Sequence, residues 1–315
     1  MAESLIDEST NKEQVVLLLI LSVSMVSSAS IFIRLSASPP LVIVFWRTLY
    51  GAIFMAFIGV PRRDFSSLKT PMVRENWHWL IAIGIMLSLH FSTWFQSLFM
   101  TTVAASVVLV DSSPIFTAIL STLILGEALK RRSWIGVVVA VTGAIILAWG
   151  DFGGTDATAL TGDMLALTGA LFLALYFIGG RRFAREMPIT VYTSVVYLVA
   201  ALTTLGMCIF LNFNVLVFEP SEVIIFLALA IFPTVLGHSV NNYLLTKVPA
   251  YVVSSAVLGE PVGAALLAIL VFSEFPSPTT VVGFFVILIG VAMVLADIAA
   301  KERSKDSSFD DTDGP

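Results

Sequence analysis

The chain has 315 residues, of which 57% are hydrophobic and only 12% charged, about half the charged share of a soluble domain. That composition excludes a water-soluble globule and indicates a polytopic membrane protein. The net charge of −5 comes mostly from acidic tails, Glu3 to Glu13 and Glu302 to Asp313, so it signals no basic or anionic partner, and nothing in the sequence suggests nucleic acid.

A bilayer span needs about 20 predominantly apolar residues. The first such stretch, 14–35, holds the apolar run Val15–Ile20 and then Ser27-Ser28-Ala29-Ser30, the outline of a cleavable signal. Positions 1–13, however, carry four acids and one lysine, Lys12, where a signal peptide needs a positive leading region, so the stretch reads as the first span. Four more spans are predicted at 41–60, 77–98, 102–125 and 133–149. Beyond the acidic, glycine-containing linker Asp151–Asp156 come five others at 161–180, 188–211, 221–246, 249–272 and 279–297. An even count puts both tails, 1–13 and 298–315, on one side, and 15 of the 17 basic residues fall in segments on that side. The exceptions are Arg34 and Arg47. The positive-inside rule then predicts cytoplasmic termini in a multi-pass protein of the plasma (inner) membrane. The only cysteine, Cys208, excludes an intrachain disulfide and a Cys-based metal site, and no redox compartment follows from it.

Two stretches repeat each other. Pro114, Glu127, Gly136 and Gly143 have identical partners 147 positions later, at Pro261, Glu274, Gly283 and Gly290. The offset extends upstream, pairing Arg34 with Arg181 and bringing His90 within one position of His238. Each copy therefore has five spans, 14–149 and 161–296. An odd number makes the second copy enter the membrane the opposite way. The expected fold is an all-α integral membrane protein of ten transmembrane helices in two inverted five-helix repeats. Proline and glycine interrupting equivalent apolar segments point to a transporter's binding region.

The run Ser113-Pro114-Ile115-Phe116 to Gly126-Glu127, then Ile135-Gly136 and Thr142-Gly143, resembles the signature of the EamA family in the drug/metabolite transporter superfamily. Its second copy, Glu260-Pro261 to Ser273-Glu274, Val282-Gly283 and Ile289-Gly290, resembles it equally, and Phe45-Trp46-Arg47 resembles the family's arginine-bearing second helix. The resemblance implies ten helices in two inverted repeats around a central cavity, in proteins that carry amino acids, other small metabolites or drugs. The second copy departs at position 194, a serine where an Arg47 equivalent would stand.

An ionisable side chain inside a span costs roughly 2.5–3.5 kcal/mol, so each is a functional candidate set against a helix-packing role. With Asp163 and Glu222 set aside at span edges, the candidates are Arg47, His90, Asp111, His238 and Glu260, supported by Trp94, Gln96, Asn241 and Asn242. Asp111 and Glu260 each lie within one turn of a matched proline, which frees a carbonyl at Val110 or Val257. Freed backbone beside an acid is a candidate cation or proton site, because such backbone is tolerated where it lines a wet cavity. His90 and Trp94 (i, i+4) form one helical face, as do His238, Asn241 and Asn242 (i, i+3, i+4). Neither face adds a second ligand at metal-binding spacing, so no metal or other cofactor is expected. Arg47, six residues into its span, is within reach of snorkelling to the outer surface, with binding of a substrate carboxylate as the other reading. Glu127 and Glu274 fit a structural role at the start of the next helix. The paired glycines fit close helix contact, within the bundle or between protomers of a homodimer.

The function expected is secondary transport, in the export direction, of a small metabolite, amino acid or drug-like solute by alternating access, with proton coupling an option. No Walker motif is present, which argues against ATP hydrolysis by this chain. An intramembrane enzyme is disfavoured because no nucleophile and base are linked by motif. A sensor or channel is the remaining class.

Overall fold

The computed structural model describes residues 12–101, 103–127, 129–148, 157–217, 219–273, 275 and 278–310. Among the described residues the regular structure is entirely helical. In chain order the first half holds α1 (Lys12–Val26), α2 (Ala29–Leu35), α3 (Pro40–Gly59), α4 (Pro71–Ser97), α5 (Val103–Val110), α6 (Ser113–Leu120) and α7 (Arg131–Ala148). The second half holds α8 (Ala157–Phe183), α9 (Ile189–Phe210), α10 (Pro220–Leu229), α11 (Ser239–Leu245), α12 (Ala250–Val257), α13 (Glu260–Phe272) and α14 (Pro278–Asp310). Proline sets many starts: α3, α4, α10 and α14 open on one, and α9 and α12 directly follow one. A first-turn residue has no helical partner for its N–H, so proline loses nothing there.

Seven stretches among the described residues are long and apolar enough to cross a bilayer: Lys12–Leu35, Pro40–Gly59, Val73–Ser97, Ala157–Glu186, Ile189–Phe210, Pro220–Leu245 and Ala250–Phe272. The other three expected spans are shorter or interrupted. The fourth breaks at Asp111–Ser112, leaving the apolar piece Ser113–Leu125. The fifth is an 18-residue helix, α7, that opens on two arginines. The tenth keeps its apolar part, Val281–Ala296, inside the longer α14. The Asp151–Asp156 linker and Glu274 lie outside the described residues.

At the matched prolines the helix stops and restarts rather than bending. α5 gives way to α6 through the turn Asp111–Ser112, and α12 to α13 through Leu258–Gly259. These turns are 147 residues apart. Pro114 and Pro261 each sit in the first turn of the restarting helix, where the missing N–H costs nothing. A third break separates α1 from α2 at Ser27–Ser28. Ser27 Oγ donates to the Val23 carbonyl (2.7 Å) and also reaches the Glu260 carbonyl (3.1 Å), so this break lies against the second matched one.

α7 and α14 pack antiparallel on their glycines. A Cβ on Gly136 would stand 2.8 Å from the Gly290 carbonyl oxygen, and one on Gly143 would stand 3.0 Å from that of Gly283. Each glycine thus faces the repeat partner of the other, and only a side chain of hydrogen lets the backbones approach this closely. All four are used within the chain.

Polar ties fasten the bundle's ends. Glu222 accepts from the hydroxyls of Ser36 and Ser38 (both 2.6 Å) and the Ala37 N–H (2.9 Å), clamping the α2–α3 connection to α10. Glu127 differs from the expected helix-start role. A left-handed turn at Gly126 (φ 69°), which glycine adopts without steric cost, delivers its carboxylate to Arg181 (2.7 Å), which also donates to the Leu245 carbonyl (2.9 Å).

Gly143→Val should force α7 off α14 and cost about 3 kcal/mol or more, read as a fall of several degrees in the melting temperature in detergent. Gly206→Val, where a Cβ meets nothing within 4 Å, is the matched control. Equal stability of the two variants would refute the glycine-packed contact.

Candidate functional site

The breaks converge on a narrow central cavity of about 20 Å³, room for about one water molecule. Seven of the nine candidate residues line it: Arg47 from α3, His90 and Trp94 from α4, Asp111 from the first matched break, His238 just before α11, Asn241 within α11, and Glu260 at the start of α13. Its apolar lining contains repeat partners too. Val26 and Leu173 are 147 residues apart, as are Val110 and Val257. Equivalent positions facing one space put it where the two copies meet.

Arg47 is fully buried, which corrects the expectation of snorkelling. Its guanidinium lies 4.0 Å above the Phe91 ring and 5.6 Å from that of Phe95, and Nε and Nη2 donate to Thr234 Oγ1 at 3.1 and 3.0 Å. Cation–π contact and two hydrogen bonds hold the charge inside the bundle. The third nitrogen, Nη1, is buried with no protein partner.

Thr234 belongs to a stretch, Ala230–His238, that is π-helical and contains Pro233. Its hydroxyl donates to the Leu229 carbonyl five residues back (2.8 Å) and so accepts from Arg47 on its free side. This stretch also accounts for a mismatch between the copies. Glu222 is 147 residues after Glu75, but His238 is 148 after His90. A π turn holds one more residue than an α turn, so the extra residue is absorbed between them.

His90 Nδ1 donates to the Gly169 carbonyl (2.9 Å), since a carbonyl can only accept, and its ring stacks on Trp94 with centroids 6.0 Å apart. His238 stands edge-on to Phe91 at 5.1 Å. Asn242 does not line the cavity; it donates to the Tyr176 hydroxyl and to the His238 carbonyl (2.7 Å). Neighbouring helical residues point about 100° apart, so with Asn241 facing inward Asn242 braces α11 against α8. Of the residues set aside or at the edge, Asp163 accepts from Thr101 (2.7 Å) and Arg34 lies 4.3 Å above the Phe272 ring.

Six buried polar atoms around the cavity have no protein partner among the described residues: Arg47 Nη1, Trp94 Nε1, Asp111 Oδ2, His238 Nδ1 and both amide atoms of Asn241. Each such atom costs on the order of 1–3 kcal/mol when it stays unpaired, so packing alone does not account for their convergence. Together they offer donors and acceptors to a small polar solute. Sequence reasoning missed Thr234 and Tyr176, because hydroxyls carry no charge to single them out. Pro233 was a usable signal, since the corresponding position of the first copy is Met86.

The fold and cavity together define a multi-pass helical membrane protein built around a polar interior, the architecture of a solute transporter. The chain belongs to the EamA-like transporter family, whose model matches residues 14–149 and again 160–296. It is 23% identical over 228 residues, 70% of this chain and 75% of the other, to the uncharacterized transporter YwfM of Bacillus subtilis (strain 168). It is also 28% identical over 205 residues, 63% of this chain and 59% of the other, to the uncharacterized transporter YetK of the same organism. A crystal structure of a protein 21% identical superposes with a TM-score of 0.76 over 93% of this chain and 100% of its own, a likeness of fold.

Thr234→Val keeps the side-chain shape but leaves the Arg47 donors unpaired, and should destabilise the protein by roughly 1.5–3 kcal/mol. Thr234→Ser, which keeps the hydroxyl, should remain near wild type. Thermal unfolding of the pair checks this, and equal melting temperatures would remove Thr234 as the support of Arg47.

Proposed function

We propose that the protein is a secondary transporter that moves a small polar or amphipathic solute across the membrane by alternating access between two inverted five-helix repeats, 14–149 and 161–296. The observation that carries this reading is the convergence of six partnerless polar atoms on one cavity flanked by helix breaks 147 residues apart. Interrupted helices in corresponding positions of two halves, meeting at a polar site, suit a substrate site between moving repeats. The antiparallel crossing of α7 and α14 supports inversion, because an axis in the membrane plane reverses helix direction whereas an axis along the membrane normal keeps it.

In this reading all ten sequence-predicted spans cross, the termini are cytoplasmic, the membrane is the plasma membrane and export is the expected direction. Arg47 Nη1 binds an anionic group such as a carboxylate, and Asp111 and Glu260 take a cation or proton at the two breaks. His90, Trp94, His238 and Asn241 complete the wall, with Asn242 positioning His238. The relatives are named as transporters, consistent with a chain that is not an enzyme.

Orientation is tested in intact cells after replacing Cys208 by alanine. Asn214→Cys should react with an impermeant maleimide added outside, and Ser66→Cys only after lysis; the reverse pattern would overturn the topology. Function is tested in proteoliposomes, with a substrate first found by thermal-shift screening of metabolites. If proton exchange at Glu260 drives transport, Glu260→Gln should abolish gradient-driven accumulation while sparing exchange at equal pH, since the amide cannot release a proton but keeps similar shape. Asp111→Asn is the internal comparison. Accumulation retained by both folded variants would reduce the two acids to packing groups.

A further inference from the structure

A second concave feature lies away from the central cavity, on the lateral face between α4 and α9. One face of α4, carrying Val73, Arg74, Trp77, Leu80, Ile81 and Gly84 at helical spacing, is turned toward α9. At Gly84 the two helices touch: a Cβ there would stand 2.8 Å from the Val196 carbonyl oxygen and within 2.7 Å of the Val199 side chain. Toward the start of α4 the larger side chains hold the helices apart, and the space between them widens into an open groove of about 560 Å³. Leu68, in the short turn Asp64–Lys69, closes the end of this groove. The turn is pinned to α9 by the Thr190 hydroxyl, which donates to Asp64 at 2.6 Å.

The groove's chemistry is graded along its length. Its walls are apolar except at one end, where Arg74 is exposed and, among the described residues, has no side-chain hydrogen bond or ion pair. No carboxylate lines it. Trp77, 58% exposed, lies one turn further in, the level at which tryptophans anchor a protein between headgroups and hydrocarbon. Lys69 ends the closing turn, and Arg62 and Arg63 precede it. A lateral groove in a membrane protein is filled by lipid, and a cation lining the mouth of an apolar trough selects which lipid.

We propose that the groove between α4 and α9 is a binding site for one anionic phospholipid, its acyl chain lying against Leu80, Ile81, Val195 and Val199 and its phosphate meeting Arg74. The site depends on the membrane setting of the chain and not on the transport reading, so the two stand or fall separately.

The test is native mass spectrometry of the intact protein released from nanodiscs containing equal phosphatidylglycerol and phosphatidylcholine of identical chains. The wild type should retain one phosphatidylglycerol in preference. Arg74→Gln, an exposed change, should lower that preference about fivefold, the effect of one basic residue near an anionic headgroup, while still retaining a lipid. Ile81→Trp, filling the trough, should lose retention of both lipids, and Arg132→Gln, a basic residue in another connection, should behave as wild type. A preference unchanged by Arg74→Gln, or reduced equally by Arg132→Gln, would overturn the site and leave only diffuse surface charge. Where Ile81→Trp fails to fold, Arg74→Gln against Arg132→Gln decides the matter alone.

Discussion

In hydrocarbon every backbone N–H and C=O needs a partner within the protein, and every uncompensated charge is expensive. The rest of the structure follows from that constraint. Helices satisfy the backbone wherever the chain meets lipid, and the places where helices stop are gathered inside. The breaks at Ser27–Ser28, Asp111–Ser112 and Leu258–Gly259 adjoin the central cavity, which Val26, Asp111 and Glu260 all line. Ionisable groups cluster there because the penalty for irregular backbone has already been met at the same place. A proline that ends a helix and an acid that needs a polar wall thus share one location.

Arg47 shows how a permanent charge is kept at depth. Its guanidinium rests on two phenylalanine faces and is gripped from one side by a threonine hydroxyl, leaving one nitrogen free. The grip comes from the opposite half of the chain, and from its π-helical stretch Ala230–His238. The cavity-facing cation of one copy is therefore oriented by an irregularity of the other.

Much of this was legible in the sequence, for physical reasons that also mark its limits. Duplication leaves an offset that can be counted, so the helix breaks at matched prolines and the glycine contact of α7 with α14 could be anticipated from Pro114, Pro261 and the four glycines. Charge and polarity in an apolar run are conspicuous, so the polar residues that line the cavity were all named, while most of its apolar wall was not. Direction was harder. Snorkelling is a statement about a single helix, and whether Arg47 reaches out or turns in depends on Phe91, Phe95 and Thr234, all distant in sequence. Asn241 and Asn242 carry the same chemistry, and which one faces the cavity depends on the winding of the π-helical stretch just before them. The fourth expected span proved broken as a continuous helix because apolar length in a sequence does not register the turn at Asp111–Ser112.

The extra residue in the π-helical stretch has a thermodynamic corollary. On the proposed alternating-access reading, two identical inverted halves would make the outward-open and inward-open forms related by a two-fold rotation and equal in energy, so that each would be half populated without any ligand. Pro233, present in one half, and Arg47, present in the other, remove that degeneracy. On the transport reading proposed above, the empty carrier then has a preferred resting side fixed by its own sequence, and a solute gradient works against that bias and not from a neutral start.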